Sequence, residues 1–323
     1  MQLIVLGLNH KTAPVEIRER FNFSQDRTVR VLRRLRNNDN LNEAVLLSTC
    51  NRTELYMVLE DPAAGLHFIR TLLRHLAGEQ YKPDYFYNLT GINCVRHLFK
   101  VASSLDSLII GEGQILSQIK NAYHLSRSCG MTDTLFNTLF NRAIAVGKRV
   151  RTETKIAYSS VSVSSAAVDL AIDVVGDLTK ANILVLGAGR MSELTARHLI
   201  DKGAKTIFVS NRNLSHAQEL AEKFNGTAIP YNEFMHQAIT SDIIITSTGA
   251  PHYVITEQGV RDIIPKRSGK PLILVDIAVP RDVDPLVGDI EGVTLYNIDD
   301  LEGVVDMNKN FRSSEAKVAE AII

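Results

Sequence analysis

The sequence predicts a multidomain α/β chain: a ferredoxin-like α+β part with a helical continuation, then a Rossmann-like doubly wound sheet, then the start of a long C-terminal helix. Three observations carry this. The 323 residues are about twice the ~150 of a typical domain. Residues 2–77 read strand, helix, strand, strand, helix. From residue 182 an apolar strand, a glycine turn, an amphipathic helix and a second apolar strand follow one another, the grammar of a parallel sheet with helices on both faces.

Taken in order, residues 2–8 form an apolar strand, and 24–37 a helix with Ser24 as N-cap and an arginine-rich outer face. EAVLLS (43–48) and TELYMVLE (53–60) are two strands separated only by Thr49, Cys50, Asn51 and Arg52. A helix follows near 62–77. Residues 91–156 show long 3.6-residue periodicity, interrupted at GEGQ (111–114) and Gly130. A connecting helix is expected at about 159–176. Further buried strands are expected at DIIITSTG (242–249) and PLILVDIAV (271–279), and residues 298–323 read as a helix still running at the last residue. The expected domains are therefore 1–156, 157–297 and the start of a linker helix at 298–323.

Composition narrows the function classes. Hydrophobic residues at 45% and charged residues at 22% are globular values and exclude a fibrous or disordered chain. Lys and Arg number 36 against 36 acids, but residues 1–155 carry 21 basic and 14 acidic side chains, so the first half is the one suited to a polyanion. No run of about 18 apolar residues predicts a membrane span. The apolar start lacks a basic n-region and is broken by Gly7, Asn9 and His10, so it reads as a strand rather than a signal peptide. Cys50, Cys94 and Cys129 have spacings that fit neither a disulfide framework nor a tetrahedral zinc site, and no metal is expected; a reduced, cytoplasmic location is.

Two segments carry chemistry. Gly187-Ala188-Gly189-Arg190-Met191-Ser192 lies between the strand ILVL and a helix, where the glycines permit a tight turn and the helix N-terminus can receive a pyrophosphate; the third small position is Ser192. The next strand ends in Ser210-Asn211-Arg212, with no carboxylate for a free ribose hydroxyl and with an arginine for a 2′-phosphate, which favours NADPH over NADH. Cys50 sits among polar neighbours at a strand end, where its thiol should be accessible, whereas Cys94 and Cys129 fall in helical segments and read as inert small hydrophobes. From the residues alone Cys50 is either a nucleophile or a bystander. A thiol acting beside a nicotinamide is nonetheless coherent chemistry, since a thioester accepts hydride.

The block Ser48-Thr49-Cys50-Asn51-Arg52-Thr53-Glu54, with Leu105-Asp106-Ser107, Gly111-Glu112-Gly113-Gln114-Ile115-Leu116, Gln118, GAGRMSELTA and Asp276-Ile277-Ala278-Val279-Pro280-Arg281-Asp282, closely resembles the glutamyl-tRNA reductases. The resemblance runs from Gly7-Leu8-Asn9-His10 to the last residue. It implies that Cys50 attacks the ester carbonyl of glutamyl-tRNA, that Thr49, Asn51 and Arg52 hold the glutamyl group, and that Ser107, Glu112, Gly113, Gln114 and Gln118 fall at the remaining substrate positions. His97 matches a histidine thought to assist catalysis, although a lone helical histidine is ordinarily structural. The second domain would bind NADPH through Gly187 to Ser192 and Ser210 to Arg212 and reduce the thioester to glutamate-1-semialdehyde, the precursor of 5-aminolevulinate and tetrapyrroles. A downstream glutamate-1-semialdehyde aminomutase is the implied partner. Family members continue into a dimerisation domain, so the expectation is a homodimer for the full-length protein and a monomer for a chain ending at residue 323. Gly113 replaces the proline common in the family, which should loosen that turn. The competing readings are a shikimate-type NADP dehydrogenase, which needs no cysteine between strands, and a non-catalytic tRNA-binding relative.

Overall fold

The computed structural model describes residues 1–77, 82–108, 110–154, 156, 163–301 and 309–323. The chain divides into two compact units, one formed by Met1–Ser160 with Asn308–Ile323 and the other by Val161–Met307.

In the first unit, β1 (Gln2–Asn9), α1 (Val15–Arg18), α2 (Gln25–Leu35), β2 (Leu41–Ser48), β3 (Arg52–Leu59), α3 (Pro62–Ala77) and β4 (Tyr87–Thr90) precede three helices, α4 (Gly91–Ala102), α5 (Gln114–Ser128) and α6 (Thr134–Glu153). The four strands pair in the order β2-β3-β1-β4, each neighbour antiparallel. Side chains alternate between two cores, as strand geometry requires. Ile4, Leu6 and Leu8 join Leu46, Met57 and residues of α2 and α3 on one face. Val5, Leu47, Tyr56 and Val58 pack against α4, α5 and α6 on the other. With both faces covered, the strands read as continuous apolar runs, and the helical stretch read from 91 onward is the second layer of this sheet. β4, a four-residue edge strand, was not foreseen because YNLT is too short to show a period.

The helix ends follow local chemistry. Ser24 caps α2 by accepting from the Arg27 N–H at 3.4 Å, as its residue type predicts. At the end of α5, Gly130 takes φ +68°, which lets the Met131 and Gly130 N–H groups bond back to the Ser126 and Arg127 carbonyls, each at 3.0 Å. This doubled bond satisfies carbonyls the helix leaves over, and it needs a residue without a Cβ penalty at Gly130.

The second unit alternates α7 (Val163–Val175), β5 (Asn182–Leu186), α8 (Arg190–Asp201), β6 (Thr206–Asn211), α9 (Leu214–Lys223), β7 (Thr227–Pro230), α10 (Phe234–Ala238), β8 (Ile243–Thr246), α11 (Glu257–Ile263), β9 (Leu272–Asp276) and β10 (Val293–Asn297). Its six strands are all parallel in the order β10-β9-β8-β5-β6-β7. The order reverses between β5 and β8, and the crevice beyond their carboxyl ends is where doubly wound sheets bind ligands.

Several expected boundaries shift. The connecting helix expected at 159–176 occupies Val163–Val175, and residues 157–162 lie outside the described residues. The strands expected at 242–249 and 271–279 stop at Thr246 and Asp276, because the residues beyond turn over the end of the sheet. The helix read at 298–323 does not start at Ile298: residues 298–300 form a turn closed by the Asn297 N–H on Asp300 Oδ2 at 2.7 Å. Residues 302–308 lie outside the described residues, and α12 (Lys309–Ile322) follows. In the first unit α12 sets Ala319 in a small core with Val150 and Ile156, and Glu320 meets Lys100 at 2.6 Å. No helix among the described residues is long and apolar enough to cross a membrane.

Candidate functional site

Thr49, Cys50 and Asn51 form the turn between β2 and β3. The Thr49 hydroxyl accepts from the N–H groups of Asn51 and Arg52, each at 3.2 Å, and its own N–H donates to the Arg52 carbonyl at 2.8 Å. This is the local reason a threonine stands there: its oxygen closes the turn that the backbone alone leaves open. Two further anchors come from the N-terminal segment. The His10 N–H donates to the Asn51 carbonyl at 3.0 Å, and buried Arg18 donates Nε to the Cys50 carbonyl at 3.3 Å.

Cys50 is half-buried rather than openly accessible. Burial, with the charge of Glu112 added, pushes its thiol up to about 12, against the opposing pull of Arg18 and of the Cys50 and Asn51 amides. At neutral pH it is therefore a thiol, not a thiolate. Cys94 is buried in α4, and burial likewise raises its thiol to about 12.

Arg52, 2% exposed, turns inward. Its guanidinium donates to Glu54 Oε1 at 2.5 Å, to the Asp106 carbonyl, and to Asp106 Oδ2 at 3.3 Å. Glu54, wholly buried, also accepts from Tyr56 and Tyr87, and lies 2.8 Å from His97 Nε2. Burial alone would raise the Glu54 carboxyl; Arg52, His97 and Tyr56 outweigh it and hold it well below the usual carboxylate range. Asp106, paired also with Lys11, is lowered against burial by Arg52 and Lys11. His10 beside this cluster is driven down to about 4 by burial and by the charges of Arg52 and Lys11. It is neutral at pH 7, and its Nδ1 is buried with no hydrogen-bond partner among the described residues, as is Asn51 Oδ1.

The remaining expected substrate residues cluster before and along α5. Ser104 donates to the Glu112 carbonyl at 2.6 Å and lies 3.4 Å from the Ser107 hydroxyl. The Glu112 carboxyl is raised by burial. Gly113, at φ −73°, caps α5 in a conformation proline also adopts, so glycine is not required there by the backbone. Gln114 opens α5, and Gln118 lies one turn on, facing a groove beside Ser48.

In the second unit, a pocket of about 400 Å³ opens at the β5/β8 reversal, lined by Gly187, Ala188, Gly189, Ser210, Asn211 and Arg212. At Gly187, φ is +113° and a Cβ would meet Ser192 Oγ at 2.9 Å and the Ser247 carbonyl at 3.0 Å. At Gly189 a Cβ would meet no described atom within 4 Å. The first glycine is thus demanded by the fold, while the second keeps open space at the start of α8, where no side chain among the described residues caps the helix. Arg190, Met191 and Ser192 begin that helix, and Ser192 Oγ lies 2.7 Å from Ser247 Oγ. Ser210 Oγ is buried without a partner among the described residues, Asn211 Oδ1 accepts the Asn213 N–H at 2.8 Å, and Arg212 is exposed at the rim. Glycines, an uncapped helix start, an orphaned hydroxyl and an arginine fit a phosphorylated dinucleotide.

The DIAVPRD block braces this pocket. Asp276 accepts from Thr246 Oγ1 at 2.8 Å and from the Ala278, Asp282 and Val283 N–H groups at 2.9–3.0 Å. Asp282 in turn accepts the Thr248 N–H at 2.7 Å. Burial, with Asp282 adding to it, lifts the Asp276 carboxyl to about 7. No sequence pattern gave a site role to Lys11, Arg18, Tyr56 or Tyr87, and Glu54 and Asp106 stood out only within the STCNRTE and Leu105-Asp106-Ser107 blocks. Nor did any pattern assign His216, Tyr231 and Ser247–Ala250 to the pocket. For the last, the small and hydroxylic run STGA after a buried strand was the available signal.

A parallel sheet reversing at a glycine-lined pocket, joined in one chain to a unit that presents an anchored cysteine, defines a dinucleotide-dependent oxidoreductase. Residues 6–154 match the family model described as glutamyl-tRNAGlu reductase, N-terminal domain, and residues 169–304 match shikimate / quinate 5-dehydrogenase. Over its whole length the chain is 46% identical to glutamyl-tRNA reductase of Trichlorobacter lovleyi, covering 75% of that protein, and 45% identical to that of Geobacter sulfurreducens, also covering 75%. The solved glutamyl-tRNA reductase of Methanopyrus kandleri is similar over 99% of this chain and 77% of its own, with 36% identity and a TM-score of 0.50. The chain belongs to the glutamyl-tRNA reductase family.

Proposed function

We propose that this chain reduces glutamyl-tRNA to glutamate-1-semialdehyde with NADPH, through a thioester on Cys50, the opening step of 5-aminolevulinate and tetrapyrrole synthesis. The observation that carries the reading is the Cys50 turn, held at its Cys50 and Asn51 carbonyls by Arg18 and His10 and backed by a buried ionic cluster. A turn so anchored keeps its sulfur in one place for an acyl carbon.

In the acyl step the Cys50 sulfur bonds to the ester carbon, the thiol proton leaves, and the tRNA 3′-oxygen departs as the hydroxyl. Because the resting thiol is neutral, its proton is lost during attack. Arg18 and the amides of Cys50 and Asn51 favour the negative charge that then develops. Thr49 and Asn51 bound the acyl site, with the orphaned Asn51 Oδ1 suited to the substrate's ammonium group. Ser107, Glu112, Gly113, Gln114 and Gln118 form the side of the site toward α5. Arg52 and His97 act through Glu54, setting the β3 end of the turn. NADPH, when bound, supplies hydride. Gly187 to Ser192 would receive its pyrophosphate, and Ser210 to Arg212 its adenosine ribose, with Arg212 on the 2′-phosphate.

We assign residues 1–156 as the ferredoxin-like catalytic domain, 157–297 as the NADPH domain and 298–323 as the lead into a dimerisation domain of a full-length homodimer. A cytoplasmic setting suits a nucleophilic thiol, and the aminomutase consuming the semialdehyde is the downstream partner.

The test is product analysis with glutamyl-tRNA. Cys50→Ser should abolish semialdehyde formation with NADPH, while Cys94→Ser and Cys129→Ser retain most of it. Without NADPH, intact-protein mass spectrometry should show a glutamyl adduct on Cys50, or glutamate release should accelerate. A Cys50→Ser chain reducing at the unmodified rate overturns the mechanism.

A further inference from the structure

The groove that Gln118 faces shares that residue with the acyl site proposed above, but Phe23, Gln25, Asn121 and His124 in its lining take no part in the acyl step. It has a volume of about 590 Å³ and lies along β2, the edge strand of the first unit's sheet, between the start of α2 and one face of α5. Gln118, Asn121, Leu125 and Ser128 recur at helical spacing on that face. Ser48, the last residue of β2, belongs both to the groove wall and to the STCNR block, so Cys50 follows two residues on, within about 7 Å along the chain.

The lining has a definite chemistry. No Lys, Arg, Asp or Glu is among the described residues that form it. Amides come from Gln25, Gln118 and Asn121, a ring nitrogen from His124, and an apolar floor from Phe23 and Leu46. Phe23 is fixed in place, its N–H donating to Ser48 Oγ at 2.9 Å and its ring carrying the Arg27 guanidinium 4.7 Å from the centroid. Such a groove repels neither charge nor carbon. It suits a flat, uncharged ring with donors and acceptors on its edge; the nearby Arg27 guanidinium is already engaged by the Phe23 ring and by the Arg20 and Asn22 carbonyls.

We infer that this groove is the subsite for the terminal adenine base of the aminoacylated tRNA. The inference rests on the function proposed above. Every tRNA ends in the adenosine that carries the amino acid, so its base lies one ribose away from the carbonyl that Cys50 attacks. The amides of α5 match an adenine edge, since asparagine and glutamine pair in two-point fashion with adenine's donor and neighbouring acceptor. The apolar floor supplies the contact for its face. The subsite would orient the acyl end of any tRNA; it would not choose among tRNAs.

The full chain, without NADPH, should be assayed for glutamate release from 3′-O-glutamyl-adenosine and 3′-O-glutamyl-uridine. The adenosine ester should be preferred by about tenfold or more in kcat/KM, the discrimination that one base edge and its stacking commonly provide. Asn121→Leu and His124→Leu, made separately, should bring the ratio of the two esters toward one. General damage to the fold lowers both rates and leaves the ratio, so the ratio reads the subsite. An unmodified chain that cleaves both esters equally, or variants that keep the full preference, overturn the assignment. If glutamyl-tRNA still forms the Cys50 adduct in that case, the acyl chemistry stands and only the adenine subsite falls. If neither ester nor glutamyl-tRNA acylates Cys50, the function proposed above fails, and the subsite with it.

Discussion

Arg52 illustrates how much a single residue's meaning depends on its neighbours. As a residue type beside a reactive cysteine, it suits a substrate carboxylate. In the fold its guanidinium is met by Glu54 and Asp106, with only 2% of the residue exposed. The pair is worth keeping intact chiefly because breaking it strands a charge. Glu54→Gln should therefore destabilise the protein by about 3–5 kcal/mol, the usual cost of leaving a buried ion unpaired. Denaturant unfolding measures it. A loss below about 1 kcal/mol would mean that Asp106 alone satisfies Arg52, and that Glu54 is not the centre of the cluster.

At the scale of an element, the turn from β5 into α8 shows two glycines with different duties. Gly187 has a left-handed φ of +113° and close neighbours on two sides, so Gly187→Ala should cost roughly 1–3 kcal/mol of stability. Gly189, at φ −86° with open space where its Cβ would stand, should accept alanine with little change in melting temperature. The same substitution should weaken NADPH binding, because the added methyl projects where a pyrophosphate would approach the helix start. Thermal unfolding and cofactor titration of both variants separate the two effects. Equal losses of stability would show that Gly189 too is held by the fold and would remove its assignment to the ligand.

Across the whole molecule, the buried titratable groups set opposite responses to acid. In the first unit, His10 is held near 4 against 6.5 in an unfolded chain, and Glu54 is held below its unfolded 4.5. For both, the unfolded chain takes up protons first, so their contribution is complete above pH 6.5 and is lost as pH falls. Glu112, raised by burial, opposes them in part. In the second unit Asp276 is raised from 3.8 to about 7, so its contribution is complete below 3.8 and is lost as pH rises through 7. Calorimetry between pH 7 and 4 should show the first unit losing stability on acidification while the second gains. His10→Asn should flatten the first response and Asp276→Asn the second. Parallel shifts of both transitions, unchanged by these substitutions, would contradict the assignment.

Local pattern is enough to divide the chain into an α+β part and a parallel sheet: short apolar strand runs, a glycine turn after ILVL, and helices closed by Ser24 and Gly130. It also pointed to Cys50, Arg212 and the Gly187 turn, since a polar break between apolar strands and a glycine turn before a helix are local patterns. Only tertiary structure decided what surrounds them. Lys11, Glu54, Tyr87, His97 and Asp106 are far apart in the chain, and no spacing says that a strand pairing and a helix packed behind it will gather them around one guanidinium. The same holds for the state of the Cys50 thiol. Residue type suggests a reactive cysteine at a strand end, but burial and Glu112 keep it protonated, and those depend on which segments cover the turn. The groove along β2 likewise exists only because α2 and α5 stand on either side of an edge strand. Hydrophobic patterning specifies which faces are buried; which partners bury them is set by long-range packing, and the chemistry of this site lies in those partners.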